Sequence, residues 1–153
     1  AEIVRDAARV RMVSDRQVGL LLSGGVDSTV VLAALHANQL HDRVHCFIGE
    51  AGRSEDADYA RRSAAQLGIT ATEITLRYDA GAFDRFLKMC QHHEKAFPLL
   101  GNSMAMAEMY EAIAQHNIPV VLDGTGGDEL FGGYWGRCFP AAVRDAVRRR
   151  DRD

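Results

Sequence analysis

The run Gly19-Leu20-Leu21-Leu22-Ser23-Gly24-Gly25-Val26-Asp27-Ser28-Thr29-Val30-Val31 most constrains what this chain can fold into. Four apolar-leaning residues of strand length lead into a glycine pair. An apolar helical pattern at Val30, Val31, Ala34 and Leu35 follows, so the stretch predicts strand, tight loop, helix. Ser23, Gly24 and Gly25 let the chain turn sharply without bulky side chains, and their N–H groups can converge on an anion. The loop also opens a helix, whose positive end stabilises phosphate. Asp27 conflicts with phosphate unless a cation lies between them, and a shared Mg2+ removes the conflict. An N-capping Ser or Asp on an ordinary αβ unit accounts for the same residues without any ligand.

Composition narrows the classes. With 153 residues the chain has room for one domain, and a formal charge of -3 offers no polybasic surface for nucleic acid or membrane. Lys88 and Lys95 are the two lysines, so a phosphate clamp must draw on backbone donors, arginine, a metal or a group outside the chain. Cys46, Cys90 and Cys138 are few and irregularly spaced, which predicts a reducing, cytoplasmic setting and no zinc site. No signal peptide or membrane-spanning run is present in the sequence.

Along the chain, helical spacing over 2–13 precedes the first strand, and the helix after the loop runs to about Asn38. A second strand is expected at Val44–Ile48. A helix over 55–67 stops at Gly68, and Ile69–Leu76 forms a third strand. Phe83, Phe86, Leu87 and Cys90 mark another helix, closed by a loop at His92–Pro98. A further helix spans about Ser103–His116, and Val120-Val121-Leu122 is the fourth strand. Strands separated by helices predict an α/β fold, a parallel sheet covered by helices on both faces. His92 and His93 are adjacent and diverge on a helix, and the other four histidines fall near element ends, so no histidine is assigned to chemistry.

The second informative run is Leu122-Asp123-Gly124-Thr125-Gly126-Gly127-Asp128-Glu129-Leu130-Phe131-Gly132-Gly133-Tyr134. Its glycines permit close backbone approach to a ligand, and Asp128 and Glu129 open a short helical turn. Carboxylates on two strand-end loops, Asp27 and Asp128, suit a Mg2+ bridging to pyrophosphate. Taken alone, this run also reads as a glycine-rich turn with a capping Asp.

Together the two runs resemble the pyrophosphate loop and partner loop of the ATP pyrophosphatases. From its first helix to Tyr134 the chain resembles the N-terminal part of the synthetase domain of the asparagine synthase family. The resemblance implies an adenine nucleotide alpha hydrolase-like three-layer sandwich over 1–153, truncated relative to the family's full synthetase domain. With right-handed crossovers it predicts the strand order third, second, first, fourth, and a ligand at the carboxyl ends of the first and fourth strands.

The resemblance assigns the Leu22 backbone and the Ile48 side chain to adenine and ribose. It assigns Ser23, Gly24, Gly25, Asp27 and Ser28 to the phosphates of ATP. Asp123 and Gly124 go to the far side of the nucleotide, and Asp27 and Asp128 to Mg2+. Glu129 and Tyr134 match motif positions with structural or substrate-adjacent roles.

The implied reaction is ATP-dependent adenylation of a carboxylate and transfer of ammonia or another amine, with release of pyrophosphate and AMP. Thr125 departs from the pattern: the asparagine-forming enzymes carry a glutamate there, and a hydroxyl supplies no charge. Aspartate as the amidated substrate is therefore not implied. The family's glutaminase domain and its downstream lysine are expected from elsewhere, on a partner subunit or a further part of the synthetase. Neither Lys88 nor Lys95 matches that lysine. Three other readings stay open: a pyrophosphatase that activates an RNA base, a non-catalytic ATP-binding module, and a fragment of a larger synthetase.

Overall fold

The computed structural model describes residues 2–77, 79–96 and 103–150. Its elements are α1 (Glu2–Arg11), β1 (Val18–Leu21), α2 (Val26–Ala37), a 3-10 turn (His41–Arg43), β2 (Val44–Glu50), α3 (Glu55–Gln66), β3 (Ala71–Thr75), α4 (Ala82–His93), α5 (Ser103–Gln115), β4 (Val120–Leu122), α6 (Gly127–Phe131) and α7 (Trp135–Arg150). The four strands form one sheet in the order β3-β2-β1-β4, all parallel. This is the predicted order, with β1 and β4 adjacent and Leu20 opposite Leu122.

Alternation along the central strands builds a core on each face. Leu20, Leu22, Cys46 and Ile48 point to one side. There they meet Ala8 and Met12 from the α1 region, Leu32 and Leu35 of α2, and Ala57, Ala60 and Ala64 of α3. Leu21 and Phe47 point to the other side, against Met109 and Ile113 of α5, with Ile74 and Ile118. Leu20 and Leu35 are fully buried, and each such side chain contributes about 1.5–3 kcal/mol relative to exposure. The three layers are those of an adenine nucleotide alpha hydrolase-like sandwich.

Local signals set the element ends. Ser54 caps α3 by accepting the Ala57 N–H at 3.2 Å, and Glu55, Asp56 and Asp58 favour its positive end. Gly68 stops that helix in a left-handed turn, as expected, while the Ile69 N–H returns to the Ala64 carbonyl. Arg61 on α3 ties the sheet's edge: it hydrogen-bonds Glu73 on β3 at 2.8 Å, Asp58 at 2.6 Å, and Glu50 at the end of β2. Its guanidinium holds the Glu73 carboxyl below the usual carboxylate range.

Several expectations need correction. The third strand is shorter than expected, Ala71–Thr75, because Ile69 serves the helix stop. His92 and His93 belong to the last turn of α4 rather than to the loop after it, and 97–98 of that expected loop lie outside the described residues. The helix expected from Phe83, Phe86, Leu87 and Cys90 is α4, whose buried residue is Met89, while Phe83 and Leu87 are exposed. Residues 148–150 form the last turn of α7.

Candidate functional site

The loop after β1 is held by its own side chains. The Ser23 N–H donates to Ser28 Oγ at 3.2 Å, the two hydroxyls lie 3.0 Å apart, and the Gly25 N–H donates to Ser23 Oγ at 3.3 Å. Ser28 also donates to the Gly25 carbonyl at 3.3 Å, and Thr29 does so at 2.8 Å. Ser28 is thus a buried polar residue with its bonds satisfied. Gly25 is the N-cap of α2 and offers no side-chain acceptor, so no capping side chain covers the helix's first N–H groups.

Gly24 serves a different purpose from Gly25. Its φ of +83° lies in the left-handed region, and a Cβ there would overlap the Asp56 carbonyl at the start of α3. It lets the loop lie against α3. A Cβ on Gly25 would meet only Ser23 Oγ, at 3.4 Å.

The loop after β4 closes on the first one. A Cβ on Gly124 would come within 2.7 Å of the Ser28 nitrogen and 2.9 Å of Asp27 Cβ. A Cβ on Gly127 would overlap the Asp27 carboxyl group, and one on Gly133 would overlap that of Asp128. Glycine at these places admits the carboxylates against bare backbone. Asp123 accepts the Thr125 N–H at 3.0 Å, and the Gly127 N–H returns to the Gly124 carbonyl at 3.0 Å, shaping the turn into α6. Tyr134 donates to Glu129 Oε1 at 2.7 Å.

Both loops open onto one cleft of about 1340 Å³. Ser23, Gly25, Asp27 and Ser28 border it from the first loop; Asp123, Gly124, Thr125 and Asp128 border it from the second. Leu22, Gly24 and Ile48 are not on its lining. Ile48 is 1% exposed and packed among Leu22, Cys46 and the helices of that face, and the Leu22 N–H donates to the Phe47 carbonyl at 2.9 Å. Among the described residues no group of three or more His, Cys, Asp or Glu can hold a metal ion by itself.

Glu129 and Tyr134, which the resemblance matches to structural or substrate-adjacent positions, also border the cleft, and helices supply the rest. From α4 come Arg85, Lys88, Met89, His92 and His93; from α5 come Met106 and Tyr110, among others. The signal was available as spacing: Arg85, Lys88, Met89 and His92 stand at i, i+3, i+4 and i+7, one face of a helix. Burial and then the negative charge of Asp123 push the Tyr110 hydroxyl above its ordinary range.

The chain resembles known proteins in sequence and in fold. The sequence model of the asparagine synthase family matches residues 1–151. An amidase of Penicillium rubens is 31% identical over 144 residues, covering 84% of this chain and 21% of that protein. A glutamine-hydrolysing asparagine synthetase of Bacillus subtilis is 32% identical over 136 residues, covering 87% and 21%. The chain thus spans about a fifth of the length of these curated relatives.

Among solved structures, the ammonia-dependent NAD synthetase of Campylobacter jejuni superposes with a TM-score of 0.55 at 24% identity, over 87% of this chain and 58% of that one. The glutamine-dependent NAD+ synthetase of Acinetobacter baumannii, solved with ADP, superposes with a TM-score of 0.56 at 20% identity, over 86% and 25%. These two share the fold. No described helix is long and apolar enough to cross a membrane. By the match over nearly its whole length, the chain belongs to the asparagine synthase family.

Proposed function

We propose that this chain binds ATP and contributes to adenylating a carboxylate, which an amine then converts to an amide. The observation that carries the reading is the contact between the two glycine loops at the carboxyl ends of adjacent strands. It brings Ser23, Asp27, Ser28, Asp123 and Asp128 to one cleft with the α2 N-terminus. Crevices at such strand ends, where the chain order reverses, are where ligands bind in open α/β sheets.

The residues present suit both the anion and a metal. The N–H groups of the first turn of α2 meet the phosphates, and the braced hydroxyls of Ser23 and Ser28 hold the loop ready for them. Asp27 and Asp128 would hold Mg2+ as the carboxylate share of a coordination shell completed by phosphate and water, which is how Mg2+ usually binds. When bound, Mg2+ supplies charge neutralisation for the departing pyrophosphate.

The chemistry follows in balanced steps. An oxygen of the substrate carboxylate attacks the α-phosphorus, and the bond from that phosphorus to the bridging oxygen breaks. The bonding pair leaves on pyrophosphate. Ammonia or another amine then attacks the acyl carbon, AMP departs with the C–O pair, and the nitrogen releases a proton to solvent. Loop amides placed beforehand stabilise the growing charge without reorganising. Carboxylate-dependent exchange of labelled pyrophosphate into ATP, run over amino acids and small carboxylic acids, tests the first step. No exchange with any acid, in the presence of ATP binding, would reject it.

Thr125 favours a second reading, a nucleotide-binding module that does not adenylate. Its N–H is held by Asp123 and its side chain brings no charge to the cleft, where the asparagine-forming pattern has a carboxylate. One missing stabilising group near the reacting centre costs about 3 kcal/mol, roughly a hundredfold in rate. On this reading ATP binds and exchange is absent. In either case the acid and the amine are set by the rest of the cleft and by any partner subunit.

A further inference from the structure

The cleft carries an imbalance of charge. Among the described residues, Asp27, Asp123, Asp128, Glu108 and Glu111 border it, against the basic side chains Arg85 and Lys88. Arg85 is already matched: it pairs with Asp79 at 3.0 Å and with Glu108 at 2.9 Å, and it donates to the Arg77 carbonyl at 2.6 Å. Glu108 in turn accepts the Arg77 N–H at 2.7 Å, which fixes the pair in place. Lys88 is exposed on the cleft face of α4, one helical turn from His92, and makes none of the ion pairs found among the described residues. Lys95, the other lysine of the chain, does not border the cleft.

A polyphosphate entering so acidic a cleft brings more negative charge than helix amides and one bridging cation balance. We propose that Lys88, against the expectation that the two lysines leave a phosphate clamp to other groups, is the cation that meets the polyphosphate of the bound nucleotide from the α4 wall. The inference rests on the nucleotide reading above and adds a residue to it. A lysine suits the task, since its ammonium is a compact charge on a long flexible stem and its three donors need no fixed geometry. Arg85, locked between two carboxylates, cannot move to the ligand without leaving them unpaired.

Calorimetric binding of ATP, pyrophosphate and adenosine to the full chain tests this, with wild type, Lys88→Met, Lys95→Met and Asp27→Ala compared. Lys88→Met is expected to weaken ATP and pyrophosphate about five- to tenfold at low ionic strength. The difference should shrink as salt rises, since the group is exposed, and adenosine binding should not change. Lys95→Met should match wild type for all three, and both lysine variants should keep the wild-type melting temperature.

Wild-type pyrophosphate affinity in Lys88→Met at low salt, alongside a loss in Asp27→Ala, would overturn the role of Lys88 and leave the nucleotide reading standing. Equal weakening of adenosine would also overturn it, because a polyphosphate contact cannot act there. Failure of the wild-type chain to bind either phosphate compound would remove both readings together.

Discussion

The carboxyl group of Asp27 lies against the bare Cα of Gly127, so closely that a Cβ on Gly127 would occupy the space of Asp27 Cγ. The two residues come from loops a hundred positions apart in sequence, and each fixes the other. Gly127→Ala must displace Asp27 or part the loops. Overpacking of this kind costs about 1–3 kcal/mol. The expected result is a lowered melting temperature together with loss of metal-dependent ATP binding, measured by calorimetry. Wild-type binding in Gly127→Ala would mean that Asp27 need not stand where it does.

The paired glycines of the first loop should separate stability from binding. Gly24→Ala places a Cβ on a left-handed residue and into the Asp56 carbonyl, and should destabilise the fold by about 1–3 kcal/mol. Gly25→Ala exchanges one N-cap without a side-chain acceptor for another and should cost about 0.5 kcal/mol. Its methyl group instead crowds the anion's approach to the α2 N-terminus. Urea unfolding and ATP titration of both variants check the contrast; similar behaviour in the two would refute it.

Much of this arrangement is legible in the sequence. Strand order followed from the βα alternation and handed crossovers, joined to the family resemblance, and the glycine runs marked both loops. What escaped was whatever depends on distant packing. Gly24 reads as one half of a flexible pair, yet it answers to the backbone of Asp56, which no local pattern announces. The same holds for Ile48, whose parity on β2 sends it to the face of α1, α2 and α3. The α4 wall is harder to read, since Phe83, Phe86 and Leu87 mark another side of the helix and Lys88 and His92 look like ordinary solvated residues until α5 is folded beside them.

His45 makes acid sensitivity testable. Burial, and then repulsion from nearby His116, lower its pKa below the ordinary 6.5, while Nε2 lies 2.7 Å from Thr72 Oγ1. Above pH 6.5 both folded and unfolded chains carry it neutral, and it sets no pH dependence. As pH falls through 6.5 the unfolded chain takes up a proton that the folded chain resists, so stability declines until the lowered folded-state pKa is passed. Urea midpoints from pH 8 to 5 should therefore fall more steeply for wild type than for His45→Gln. Parallel curves would show that His45 does not titrate against the fold.

The cysteines offer a check on the sheet's core. Cys46 is fully buried on β2 and burial pushes its thiol up to about 11, whereas Cys90 on α4 is partly exposed. At neutral pH a thiol reagent should label Cys90 in the native protein and Cys46 only on unfolding. Peptide mapping of the labelled chain reads this directly, and rapid native labelling of Cys46 would contradict its placement.

The proposed binding mode has Asp27 and the α2 N-terminus hold nucleotide phosphate through a shared cation. Calorimetric titration of ATP into the wild-type chain, with Mg2+ and with chelator, and into Asp27→Ala with Mg2+, measures it most directly. Binding should need Mg2+ and should be weakened by loss of the Asp27 carboxylate. Equal affinity in all three titrations would contradict it.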